Sequence, residues 1–152
     1  MFFRTKGHHL LKGRHAQIGQ LYSVTAMTEQ RNPIFRDVHL GHLVVDQLRS
    51  QDQVGPTHSL AWVIMPDPIH GLFELQARSL GVVMCQLTSR SSLSLNPTPH
   101  SHGRVWQKGY HKRAVRQDED LKTIVRYITF NPVRAGLARR VGESPLWDAA
   151  WL

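Results

Sequence analysis

Hydrophobic positions along this chain repeat with two periods, one suited to strands and one to helices. Leu21 to Met27, with Tyr22, Val24 and Thr25, is a β-prone run and predicts a first strand. After the Asn32-Pro33 turn, Leu40, Leu43, Val44 and Leu48 fall at i, i+3, i+4 and i+8, which predicts a helix with Asp37 as its cap. Gly55-Pro56 breaks that helix. His58 to Met65 is apolar at successive positions and predicts a strand buried on both faces or nearly so. Pro66 and Pro68 cannot donate in a central ladder, so they bracket a turn. Ile69 to Leu75 then predicts a third strand, antiparallel to the second. Leu80 to Leu93 reads as a second helix.

Asn96-Pro97-Thr98-Pro99-His100 predicts a loop, and Val105-Trp106 and Tyr110 to Val115 return to extended structure. Asp118-Glu119-Asp120 opens a third helix, because acids in a first turn complement its dipole. Leu121, Ile124, Val125 and Ile128 form its core stripe, and Asn131-Pro132 ends it. Strand, helix, strand, strand, helix, strand, helix is the order of an α+β fold. It implies a ferredoxin-like antiparallel sheet covered by helices on one side.

With 152 residues, 41% of them hydrophobic, the chain is long enough for one domain with a real core. Residues 1–19 carry Arg4, Lys6, Lys12 and Arg14 among glycines and read as a basic flexible arm, leaving 20–152 as a single domain. The net charge of +8 argues for a polyanion partner, most simply nucleic acid. The lone Cys85 excludes an internal disulfide and a multi-cysteine zinc site; Val82, Val83, Met84 and Leu87 around it predict a buried, inert thiol. No signal-peptide core and no membrane-length apolar run is present, so the expected place is the cytoplasm, at the nucleoid, with no membrane partner.

Candidate chemistry gathers on the third helix. At about 100° per residue, Tyr127 lies at the edge of the core stripe and Asn131 one turn later on almost the same line. His70 comes from the strand pair beside Pro66 and Pro68, where Asp67 could add an oxygen. A tyrosine facing a divalent ion held by imidazole and amide is a means of phosphoryl transfer. The phenol attacks a DNA phosphate and becomes covalently attached, while the ion polarises the phosphate oxygens. Each residue alone has an ordinary use: Tyr as packing at a helix edge, His as a strand-end hydrogen bonder, Asn as a helix terminator. Arg104, Lys108, Lys112, Arg113, Arg116, Arg126 and Arg134, with Arg14 in the arm, are the candidate DNA contacts. Trp106, interleaved with them, reads as core.

Three segments together resemble a family. They are Met65 to Leu72, Gly103-Arg104-Val105-Trp106-Gln107-Lys108-Gly109-Tyr110-His111, and Tyr127-Ile128-Thr129-Phe130-Asn131-Pro132-Val133-Arg134-Ala135-Gly136-Leu137. They look like the REP-associated tyrosine transposases, bacterial single-tyrosine relatives of HUH-type transposases, and the likeness runs from about Gly7 to the terminal Trp147-Asp148-Ala149-Ala150-Trp151-Leu152. The resemblance implies binding and processing of single-stranded hairpins from repetitive extragenic palindromes. It implies Tyr127 as nucleophile, His70 and Asn131 as metal ligands, and Mg2+ or Mn2+ as the ion. In the family a His-hydrophobic-His triplet supplies two ligands; here it is Pro68-Ile69-His70. The metal site is therefore expected to be weak or lost.

The first reading is thus a transposase-like protein that cleaves and rejoins hairpin DNA, as monomer or homodimer, with an impaired metal site. The alternative is a catalytically inactive DNA-binding or regulatory relative. No aromatic pair of an RNA-binding sheet is visible, which argues against an RNA-binding domain of the same topology.

Overall fold

A computed structural model describes residues 19–96, 103–116, 119–137, 139 and 146–149. The arm with Arg14 and the loop at 97–102 lie outside the described residues. The strands are β1 (Leu21–Met27), β2 (Thr57–Ile64), β3 (Pro68–Leu75), β4 (His111–Val115) and β5 (Trp147–Ala149). The helices are α1 (Val38–Val54), α2 (Leu80–Leu95), α3 (Leu121–Thr129) and the single turn α4 (Asn131–Arg134). The sheet runs β4-β1-β3-β2-β5, every neighbouring pair antiparallel. Its first four positions have the ferredoxin-like order, and β5 extends the β2 edge.

Local chemistry explains the element ends. Asp37 accepts from the His39 amide to start α1, and Gly55, at φ 118°, stops it in a left-handed conformation that a side chain would resist. Ser79 caps α2 through the Val82 amide. At α3, Asp120 is the cap, accepting from the Lys122 and Thr123 amides, so Glu119 and Asp120 stand before the first turn and not inside it, while Asp118 lies outside the described residues. Thr123 and these amides hold the Asp120 carboxyl below the usual range.

Helices cover both faces of the sheet, not one. Side chains alternate along a strand, and along β3 Ile69, Phe73 and Leu75 enter a core with α1 and α2, whereas Leu72 enters a second core with Val125 and Ile128 of α3. The reason lies in β2, where Ala61, Trp62, Val63 and Ile64 are all buried. Trp62 and Ile64 pack toward α1 and α2, Ala61 and Val63 toward α3. An apolar run with no polar alternate must be covered twice.

Trp106 is core, as expected, but not part of a strand. It forms one isolated bridge with Thr28, tilts against Phe35 with centroids 5.6 Å apart, and donates Nε1–H to Ser91 Oγ at 3.0 Å. Cys85, expected to be buried, is exposed. Val83, Met84 and Leu87 take the inward positions of α2, and Cys85 falls on the outward side.

Two glycine substitutions should act in opposite directions. A Cβ at Gly71 would stand 2.5 Å from Cζ of the buried Phe73 ring, so Gly71→Ala should cost about 1–3 kcal/mol. At Gly81 the nearest atom is Ser79 Oγ at 4.0 Å, and Gly81→Ala in exposed helix should gain roughly 0.5–1 kcal/mol. Urea midpoints at unchanged m-value check both.

Candidate functional site

The site is built on the α3 face of the sheet. Val24 and Ala26 of β1 point into the α1–α2 core, so Thr25 between them points the other way. Thr25 pairs with His70 of β3 on one side and with His111 of β4 on the other. His70 Nδ1 lies 2.9 Å from Thr25 Oγ1, which fixes the imidazole against the sheet. Burial first, and the Arg134 guanidinium second, hold the His70 pKa below its ordinary value of 6.5; the Asp67 carboxylate opposes them.

Pro68 opens β3 opposite Met27 and is buried. Its carbonyl accepts from the Met65 amide at 2.9 Å, closing the turn that presents His70. First position in a strand suits a residue with no N–H. Asp67, in the same turn, has Oδ2 at 2.6 Å from Arg31 Nε. Arg31 and Gln30 both hold left-handed backbone, at φ 54° and 55°, a strained conformation for residues with a Cβ. The expected metal-ligand oxygen of Asp67 is therefore engaged by a cation.

The helical side of the site comes from α3 and α4. Phe130, at φ −86° and ψ 2°, interrupts the helix, and Asn131 and Pro132 begin a further turn; the Asn-Pro pair restarts the chain where the sequence predicts an end. Proline is compatible with a first turn, where its missing N–H is not needed. Tyr127 is 63% exposed, the open position expected of a group meant to reach a ligand. Arg134 folds back over it, with Cζ 3.7 Å from the ring centroid. Its Nη2 donates to Asn131 Oδ1 at 2.5 Å and also to the Tyr127 carbonyl.

Tyr127, Asn131 and Arg134 thus share one surface, and the charge of Arg134 reaches His70. Sequence reasoning places Arg134 only among general DNA contacts. Its spacing of i, i+4, i+7 from Tyr127 through Asn131 is the signal that puts it in the site. Thr25 escapes sequence reasoning as well, and only strand register reveals it.

These donors do not fit a divalent ion. Pro68 has no ligand atom, Asp67 Oδ2 is bound by Arg31, and Asn131 Oδ1 is bound by Arg134. Imidazole remains at His70, but a guanidinium stands close enough to lower its proton affinity, and the same charge disfavours a metal cation. Among the described residues no group of three His, Cys, Asp or Glu side chains could hold a metal.

The candidate DNA contacts Arg104, Lys108, Lys112, Arg113, Arg116 and Arg126 are all exposed. Lys112 and Arg113 lie on β4, at the edge of the sheet. Arg113 shares its charge with Glu119 at 2.8 Å. That carboxyl also accepts the Arg116 amide, and the two contacts hold it below the usual range. Arg113 is thereby a weaker phosphate contact than its exposure suggests.

An NMR titration should place the His70 midpoint below 6.5, and Arg134→Gln should raise it. The unfolded chain binds this proton more readily than the folded one. His70 therefore contributes its full stability above the unfolded pKa, and that contribution falls as pH drops through it. A midpoint that Arg134→Gln leaves in place would separate Arg134 from the site.

The comparisons with known proteins agree with this fold. A family model described as "Transposase IS200 like" matches residues 18–131. A protein of Haemophilus influenzae named as a REP-associated tyrosine transposase is 27% identical over 101 residues, 59% of this chain and 57% of that protein. The chain thus spans little more than half the length of that relative. The solved structure of a REP-associated tyrosine transposase bound to a REP hairpin superposes with TM-score 0.70 at 20% identity, over 88% of this chain and 79% of that one. A transposase structure from Deinococcus radiodurans gives TM-score 0.53 at 22% identity, over 77% and 95% of the two chains. The two likenesses show a shared fold, and the family match spans β1 to β4, Tyr127 and Asn131. The chain belongs to the IS200-like transposase family.

Proposed function

We propose that this protein binds structured single-stranded DNA of hairpin type and cuts it through a phosphotyrosine on Tyr127. The observation that carries the reading is the exposed Tyr127 phenol, under a guanidinium whose charge reaches the sheet-borne His70 imidazole, on a transposase fold. In the step, Tyr127 Oη bonds to phosphorus and the bond from phosphorus to a sugar oxygen breaks. The leaving oxygen takes up the proton that the phenol gives up. Rejoining is the reverse. The exposed cations of β4 and its flanks, with the amino-terminal arm, hold the DNA backbone. The hairpin-bound relative supports the choice of ligand. Mg2+ or Mn2+ is bound weakly or not at all.

A second reading, a DNA-binding relative that no longer cuts, is favoured by the same donor set. Pro68 removes one ligand, and cations engage Asp67 and Asn131. Mixing the protein with labelled hairpin DNA decides between them. A band that survives denaturation with wild type and is missing with Tyr127→Phe supports the first reading. Tight binding with no such band supports the second. Tyr127→Phe should fold and bind as wild type does, because the hydroxyl end of an exposed ring has no packing role. If about six phosphates are neutralised, log affinity should fall against log salt with a slope near −4. Binding that ignores salt would contradict both readings.

Pro68→His tests the donor set. Residues 68 and 70 project from the same face of β3, so two imidazoles would stand at i and i+2. The variant should gain Mn2+-stimulated adduct formation, and Tyr127→Phe should remove the gain. Equal Mn2+ stimulation of wild type would show that the missing imidazole is without consequence.

A further inference from the structure

We propose that the guanidinium of Arg134 is the phosphate-holding cation of this site, gripping one DNA phosphate beside the Tyr127 hydroxyl without help from a metal. The inference rests on the hairpin-cutting reading and deepens it.

Arg134 is anchored and not simply exposed. Nη2 donates to the Tyr127 carbonyl and to Asn131 Oδ1, and the guanidinium plane rests on the Tyr127 ring, 3.7 Å from its centroid. Those bonds use one corner of a planar fork. Nε and Nη1 are not part of them, on a side chain that is exposed. Both parallel donor pairs of a guanidinium include Nη2, so the phosphate is held by a single charge-assisted bond from Nη1 or Nε and by the fixed positive charge, and anchoring removes most of the ordering cost of using them. The ring beneath is the one that carries the phenol, so a phosphate on the free edge is brought to the nucleophile.

The same placement accounts for the poor metal site. The residues facing Arg134 are His70 from β3, Tyr127 from α3 and Asn131 from α4, with Asp67 in the turn before β3 also acting on His70. Asp67 is already paired with Arg31, so the site keeps a net cation of its own. A guanidinium does for the phosphate part of what an ion would do: it binds the non-bridging oxygens and offsets their charge.

A purely structural Arg134 would cap the end of α3 through the Tyr127 carbonyl and nothing more. The test must therefore read a phosphate and not only stability. The probe is a labelled DNA hairpin with a single-stranded flank, made as a series in which one phosphate at a time becomes a neutral methylphosphonate. Affinity is measured in EDTA, in the Tyr127→Phe background so that no adduct forms. At one flank position the neutral linkage should weaken binding about ten- to hundredfold, the loss expected for a charge-assisted contact. With Arg134→Gln added, that position should become indifferent to the change, while penalties elsewhere persist. Arg134→Lys, which keeps the charge and loses the planar group anchored on Tyr127 and Asn131, should recover only part of the effect. If the penalties at every position are the same with and without Arg134→Gln, the inference is overturned and the functional reading stands. A penalty that appears only when Mn2+ is supplied has the same consequence. Failure of the unmodified hairpin to bind would overturn the functional reading and this inference with it.

Discussion

Burial on both faces of the β2–β3 pair is the constraint from which the rest of the structure follows. Ala61 through Ile64 offers no polar residue to water, and β3 behaves similarly at Leu72 and Phe73. Two helices, α1 and α2, cover one face. The other face would leave Ala61, Val63 and Leu72 wet without the stripe of Leu121, Ile124, Val125 and Ile128. Docking that stripe brings α3 onto the face of the sheet from which Thr25 and His70 project, with Tyr127 on its exposed edge. The candidate site is a by-product of where a hydrophobic helix has to lie.

Much of this is legible in the residues. β1 has the predicted bounds of Leu21 to Met27, and α1 starts at its Asp37 cap, because periodicity and capping are local signals. The alternation that sends Trp62 one way and Val63 the other is equally local, yet the second helical layer does not follow from it. An unbroken apolar strand announces burial but does not say which later segment supplies it. Cys85 is misjudged when its apolar neighbours are read without the helical phase that turns it outward. The Asn131-Pro132 pair looks like a terminator, since proline disfavours helix before it; in the fold it opens the next turn. Thr25 and the inward fold of Arg134 depend on strand register and on the break at Phe130, which no short window contains.

The site differs from a generic metal-assisted one in the balance of its charges. Each candidate oxygen has an arginine on it: Arg31 on Asp67, Arg134 on Asn131. The imidazole at His70 is held toward its neutral form by burial and by Arg134. A divalent ion entering here would have to displace guanidinium contacts and find its remaining ligands in water. A phosphate, by contrast, meets positive charge already in place. Proline at position 68 and arginine at 134 are then compatible within the proposed site.

The most direct measurement of that balance is paramagnetic broadening by Mn2+, followed at the His70 imidazole and the Asn131 side-chain amide. Mn2+ stoichiometric with the protein should leave both signals as sharp as those of residues remote from the site. Selective broadening of the two together would mean that they hold a metal after all, and the account of a site whose cation is Arg134 would be contradicted.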